Sequence, residues 1–370
     1  MHKRAFGIYH ALYPLSLVYW AVTAVRNKLF DTGLLHSCRF IVPVICVGNI
    51  TVGGTGKTPH TEYLVRLLAP LFRTAVLSRG YKRKTRGFVL ADGSASAESI
   101  GDEPYQMVRK FPGLTVAVDA DRREGILRLL RKADVIVLDD AFQHRRVSAG
   151  LNILLIDYNR LIWQDALLPA GRLRESAAGK RRADIIIFSK CPAGMGAEEM
   201  DELKGRLNPH EGQTVLFSSL RYGRLKPLSG ADAAERSPDS LGEDDEVLLL
   251  TGIASPKALA EMIGGRAGKL VRMDYGDHHD FSHADMENVR AAFERLTEGK
   301  RMVITTEKDA ARLVGRGDIG DDLKRHIYTL PVEVEFLGDC QNTFNQIIID
   351  YVRENTRDGS LLKGKDAHTA

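Results

Sequence analysis

An apolar run, Ile41-Val42-Pro43-Val44-Ile45-Cys46-Val47, empties directly into Gly48-Asn49-Ile50-Thr51-Val52-Gly53-Gly54-Thr55-Gly56-Lys57-Thr58. A strand that ends in a glycine-rich loop closing on Gly-Lys-Thr is the architecture of a nucleoside-triphosphate cradle. Glycine lets the backbone turn its successive N–H groups inward onto phosphate oxygens. In that arrangement Gly53, Gly54, Thr55 and Gly56 wrap the phosphates, Lys57 reaches the β- and γ-phosphates, and the Thr58 hydroxyl serves Mg2+. The helix expected next, over residues 56–69, adds the positive end of its dipole. Thr51 stands where the general pattern has its first glycine.

With 370 residues, the chain is too long for one typical core and implies two domains. A net charge of +4 says little about partners, but its distribution says more. Arg79, Lys82, Arg83, Lys84 and Arg86 crowd one loop, and Arg122-Arg123, Arg145-Arg146 and Lys180-Arg181-Arg182 add to them. Such clusters suit a polyanionic ligand such as a phosphorylated lipid. Nucleic acid is not expected as a partner, because no aromatic interleaving or binding motif accompanies the charges. Cys38, Cys46, Cys191 and Cys340 have neither zinc nor disulfide spacing, which fits buried thiols in a reducing compartment.

From Ala5 to Val25 the chain has no Asp, Glu, Lys or Arg, and Lys3-Arg4, Arg26 and Lys28 flank the stretch. It is long enough to span a bilayer or to lie in its surface. Tyr9, Tyr13, Tyr19 and Trp20 favour the headgroup level, while His10 and Pro14 argue against a simple spanning helix. A cleaved signal peptide is discounted, because a nucleotide loop follows about two dozen residues later and belongs in the cytosol. Membrane association is the expectation, with a core helix as the alternative.

Beyond the loop, strand-like runs alternate with helical stretches, the pattern of a mostly parallel sheet covered by helices. The expected fold is α/β: a P-loop NTPase-like sheet, a second, smaller α/β domain, and an apolar N-terminal helix. The expected organisation is a membrane-associating segment over 1–36, a P-loop core over 37–228 and an acidic linker or insertion over 229–246. A second α/β unit follows over 247–356, with strands that include Val332 to Phe336, and then a disordered tail over 357–370.

Val135-Ile136-Val137-Leu138-Asp139-Asp140 ends a strand in two carboxylates, which a parallel sheet sets beside the phosphate loop. Asp139 or Asp140 there holds Mg2+, directly or through water. Asp102-Glu103 reads by itself as an acidic helix start. Asp277-His278-His279-Asp280 lacks zinc spacing, and one of its histidines could relay a proton for an acidic base.

Six motifs taken in order resemble a known family. They are Gly48-Asn49 with Val52 to Pro59, Ser78-Arg79-Gly80-Tyr81, Gly101-Asp102-Glu103-Pro104, Asp139 to His144, Pro169 to Glu175, and Asp277-His278-His279. Together they look like tetraacyldisaccharide 4'-kinase of lipid A biosynthesis, and Thr51 suits that family's loop. The resemblance spans most of the chain. It implies a membrane-associated kinase that moves the γ-phosphate of ATP, with Mg2+, to the 4'-hydroxyl of tetraacyldisaccharide 1-phosphate, giving lipid IVA. It implies Asp102 as the base, supported by His278, with His279 the competing choice. It also implies a substrate site that includes Arg79, Gln143, His144, Arg174 and Glu175, and a place on the cytoplasmic face of the bacterial inner membrane, held by the apolar segment. The rival readings are a P-loop ATPase or GTPase switch at the membrane, or an adaptor with a vestigial loop. No guanine-reading Asn-Lys-x-Asp occurs, and Lys57, Thr58 and Asp139-Asp140 are intact.

Overall fold

The computed structural model describes residues 9, 11–228, 234–253, 256–277 and 279–362, the side chains of 357–362 excepted. His278, parts of the apolar N-terminal stretch (residues 5–8 and 10), residues 229–233 of the expected linker and residues 363–370 of the expected tail lie outside those residues.

Two sheets organise the chain. The larger has nine strands in the order β14-β8-β7-β6-β1-β5-β2-β4-β3. Its centre is parallel: β1 (Val44–Gly48) lies between β5 (Val135–Asp139) and β6 (Leu151–Asp157), flanked further out by β2 (Thr74–Ser78), β4 (Thr115–Val118), β7 (Ile185–Ser189) and β8 (Thr214–Tyr222). β1, β5 and β7 are buried on both faces, as central parallel strands must be. Ile45 and Val47 pack toward helix α2 (Lys57–Leu68) through Leu64, Val65 and Leu68. Val44 and Cys46 face the other layer, with Ile126 and Leu129 of helix α5 (Arg122–Leu129). Only the edges β3 (Val89–Leu90) and β14 (Val332–Phe336) run antiparallel.

The smaller sheet has the order β11-β10-β12-β13-β9, from β9 (Lys226–Pro227), β10 (Glu246–Thr251), β11 (Lys269–Asp274), β12 (Arg301–Thr306) and β13 (Ile327–Leu330). Val332 to Phe336, expected in this second unit, instead pairs with β8 of the larger sheet. Pro331 separates β13 from β14, has no N–H to continue a ladder, and marks the point where the chain changes sheets. Its carbonyl accepts from Gly223 N–H at 2.9 Å, so the outgoing connection between β8 and β9 and the returning one run side by side.

Phe336 then joins Phe344, Ile348 and Val352 of helix α11 (Cys340–Leu362) under the larger sheet. That helix runs through 357–362, the first part of the stretch expected to be a disordered tail. The described part of the expected acidic linker is anchored by Leu241, buried with Leu225, Val247 and Leu249, while Ala234, Glu235, Asp239, Ser240, Glu243 and Asp244 are exposed.

Helix α1 (Tyr13–Asp31) is turned inside out relative to a core helix. Ser16, Tyr19, Thr23 and Asn27 recur every three or four residues and face the protein, whereas Leu15, Leu17, Val18, Val22 and Val25 are exposed. Ser16 donates its hydroxyl to Leu167 C=O at 3.0 Å and Tyr19 donates to Arg174 C=O at 2.7 Å. Among the described residues no helix is long and apolar enough to cross a membrane.

Candidate active site

The phosphate loop begins where β1 ends. Gly48 is obligatory there, because a Cβ would sit 2.5 Å from Phe142 Cβ. Gly53 and Gly56 adopt φ of +106° and +84°, a region that favours glycine. A side chain at Gly54 would meet nothing within 4 Å, so the loop is open on that side. Thr55 is buried as a strut: Asn49 Nδ2 donates to its hydroxyl at 2.8 Å, and the Ser189 hydroxyl to its carbonyl at 2.8 Å. Thr58 is half-buried in the first turn of α2.

In the β1–β5 register Val47 lies beside Asp139, which brings both acids to the mouth of the loop. Lys57 Nζ is 3.6 Å from Asp140 Oδ1. Arg174 Nη1 donates to the same oxygen at 3.0 Å. Asp140 holds φ +48°, an uncommon conformation that Asp tolerates better than most residues. Burial pushes its carboxyl up, but Lys57, Arg174 and Arg122 outweigh it and hold the group below the usual range. Asp139 is different. It accepts from the Thr61 hydroxyl at 3.2 Å, and burial, then Glu103, then Asp140 push its carboxyl up to about 7. Asp139 and Asp140 meet Lys57, Arg174 and Arg122 here. Among the described residues no group of three or more His, Cys, Asp or Glu is placed to hold a metal, so a divalent ion would draw its remaining oxygen ligands from Thr58, phosphate and water.

Arg79 acts on this centre by its field at Arg122, a buried guanidinium lowered by desolvation and raised again by Asp139. Gln143 donates to Asn49 C=O at 2.7 Å and to Glu175 at 3.0 Å. Glu175 is buried, and Arg182 grips it through two contacts of 2.8 Å, with Asn27 of α1 at 3.2 Å. It therefore ties α1 to the site. His144 is half-buried; desolvation holds its imidazole at about 4, and Asp121 lies 4.0 Å away. Asp102 opens helix α4 (Asp102–Lys110) and is bound by Arg312 from the second sheet's side. Of the neighbouring histidines, His279 stacks on Tyr275 at 4.6 Å and contacts Asp285 at 2.9 Å.

Sequence reasoning missed Asp157, Arg160 and Lys190. Lys190 donates to Gly54 C=O and pairs with buried Asp157 at 2.9 Å, and Arg160 would lie 3.2 Å from a Cβ at Gly53. Their only signal was position: Asp157 ends β6, and Arg160 and Lys190 follow strands, at the carboxyl edge that carries the loop. His60 was missed too. Its ring contacts Gly56 C=O at 2.7 Å and the Ser218 hydroxyl at 3.0 Å, and full burial holds it at about 4. The unfolded chain therefore binds a proton that the native state refuses. The contribution of His60 is full above about pH 6.5 and falls toward pH 4 by about 1.4 kcal/mol per pH unit. Replacing His60 with Gln should make the acid limb of a thermal-unfolding series shallower by about one proton, with His144 acting in the same sense as His60 and Asp139, raised to about 7, in the opposite one. An unchanged limb would count against this assignment.

The family model for tetraacyldisaccharide-1-P 4'-kinase matches residues 8–353. The chain belongs to the tetraacyldisaccharide 4'-kinase family. Relatives named tetraacyldisaccharide 4'-kinase agree: one from Bacteroides fragilis is 51% identical and one from Bacteroides thetaiotaomicron 48% identical, each over 100% of both chains. A solved structure, LpxK from Aquifex aeolicus in complex with ATP, is 30% identical. It superposes with a TM-score of 0.71 over 93% of this chain and 99% of its own. As a member of the tetraacyldisaccharide 4'-kinase family the chain is an ATP-dependent kinase built on the P-loop fold.

Proposed function

We propose that this chain moves the γ-phosphate of ATP to the 4'-hydroxyl of tetraacyldisaccharide 1-phosphate at the crevice between the phosphate loop, Asp139-Asp140 and Asp102. The observation that carries the reading is the junction of Lys57, Asp140 and Arg174 at the loop mouth. Phosphoryl transfer needs positioning and charge neutralisation more than covalent chemistry, and such a junction supplies both. Gly53 to Gly56 present backbone N–H groups to the phosphates, and Lys57 neutralises charge there. Thr58 with Asp139 or Asp140 would hold Mg2+, which when bound screens the phosphate oxygens.

Asp102 takes the proton of the attacking hydroxyl, as the poor nucleophilicity of a sugar alcohol requires. His278 supports it, on the motif alone. Arg79, Gln143, His144 and Arg174 face the lipid phosphosugar, and Glu175 acts by holding Gln143 and α1. Purified protein incubated with γ-labelled ATP, Mg2+ and the disaccharide lipid should place label in the lipid. Label released as inorganic phosphate whether or not lipid is present would instead support an ATPase switch.

We infer a seat on the cytoplasmic face of the inner membrane, where acyl chains keep the substrate, and the apolar outer face of α1 supports it. A helix whose polar residues face the protein and whose apolar residues face outward suits a bilayer surface. Deleting 1–25 would also remove the Tyr19 contact to Arg174, so point changes are the cleaner test. Val18→Asp with Val22→Asp should release the protein from membranes with its unfolding temperature kept. Full sedimentation with membranes at high salt would show that another surface is the anchor.

A further inference from the structure

Helix α9 (Glu307–Leu313), which follows β12 of the smaller sheet, lies along α4 of the larger one. The two run in opposite senses: Glu307 meets Lys110 at 2.6 Å, and Arg312 meets Asp102. Asp102, Gln106 and Lys110 are spaced four apart and share one face of α4. At the Asp102 end the contact is a fork. Arg312 is 8% exposed and donates Nε at 3.1 Å and Nη2 at 2.5 Å to one oxygen, Oδ2. Its Nη1 donates to His279 C=O at 3.0 Å and to Asp309 Oδ1 at 3.2 Å.

Asp309 is fully buried and anchored in turn. Its Oδ2 accepts from Gly252 N–H at 2.9 Å and from the Thr306 hydroxyl at 2.7 Å. Glycine at 252 makes room, since a Cβ there would come within 2.8 Å of Asp309 Oδ1. The guanidinium is thus fixed by backbone groups of the second unit before it reaches Asp102.

We propose that Arg312 is a positioning residue for phosphoryl transfer, fixing the rotamer of Asp102 by holding Oδ2; this rests on Asp102 being the base. A carboxylate in the first turn of a helix turns about two side-chain bonds. A general base must stay within hydrogen-bond reach of the hydroxyl it serves, and the misplacement allowed is about 0.5 Å. A planar fork pinned at its far end removes that freedom better than a flexible ammonium. The base is carried by one sheet's helix and aimed by the other's, so its geometry depends on how the second unit is seated.

The test is kcat and KM for both substrates in Arg312→Ala, Arg312→Lys, Asp102→Ala and the Asp102→Ala, Arg312→Ala double variant. Arg312→Ala should lower kcat about ten- to a hundredfold, with KM for ATP unchanged within about twofold. Arg312→Lys should recover only part of the loss, because one ammonium can still reach Oδ2 but lacks the fork that fixes it. In the Asp102→Ala background, removing Arg312 should cost less than about twofold more. Wild-type kcat in Arg312→Ala, beside a deficient Asp102→Ala, would overturn the positioning role alone. A double variant with the product of both losses would overturn it as well, as would Arg312→Lys behaving no better than Arg312→Ala. Near-normal kcat in Asp102→Ala would reject the base assignment, and this proposal with it.

Discussion

Lys57→Ala is expected to lower kinase turnover at least about a hundredfold, since removing one preorganised charge from a developing transition state costs roughly 3 kcal/mol. Lys57 is 13% exposed and 3.6 Å from Asp140, so its loss also leaves Asp140 with Arg174 as its nearest cation. Asp140→Asn in the same background should therefore recover little activity while restoring thermal stability. Transfer of label to lipid, measured beside unfolding temperature, separates the two effects. Turnover within about tenfold of wild type in the alanine variant would reject the phosphate site.

The second large effect belongs to Asp102. Asp102→Asn keeps the size of the side chain and its ability to accept from Arg312, but it cannot take a proton. A positioned base contributes about a hundred- to ten-thousandfold, so kcat should fall by at least the lower figure. ATP affinity should hold, because Asp102 sits on α4 and outside the phosphate loop. His278→Ala should lower kcat without a multiplicative loss when combined with Asp102→Asn, and His279→Ala should be mild, as its ring already has Asp285 and Tyr275. A full kcat in Asp102→Asn would require a different base.

The parallel core was legible because its strands are apolar runs that end at the residues of the site, as Val135 to Asp139 does. Such a run is at home inside a parallel sheet covered by helices on both faces. The strand Val332–Phe336 was legible as a strand but not as to its sheet. Its alternation of Val and Glu satisfies any edge with one wet face, and only the pairing with β8 decides. The orientation of α1 was hidden for a similar reason. An uncharged stretch reads as membrane or core, and the polar stripe through Ser16, Tyr19, Thr23 and Asn27 becomes meaningful only once carbonyls of 167 and 174 lie opposite it.

In the site, motif residues were legible by chemistry, but their division of labour was not. Thr55 and Glu175, expected as ligands, also brace the site, while Lys190 and Arg312, which no motif marked, are fixed against the loop and Asp102.

The crossing at Gly223 and Pro331 has a consequence for how the protein is made. The smaller sheet interrupts the larger one, so the larger sheet is encoded on both sides of the insertion and is incomplete until Val332–Phe336 and the helix after it leave the ribosome. During synthesis β8 waits as an open sheet edge while the inserted unit emerges, a state exposed to wrong pairing. A chain stopped before Val332 lacks the strand and helix that cover Tyr63 and Leu220, and would leave the ribosome with its P-loop helix half bare.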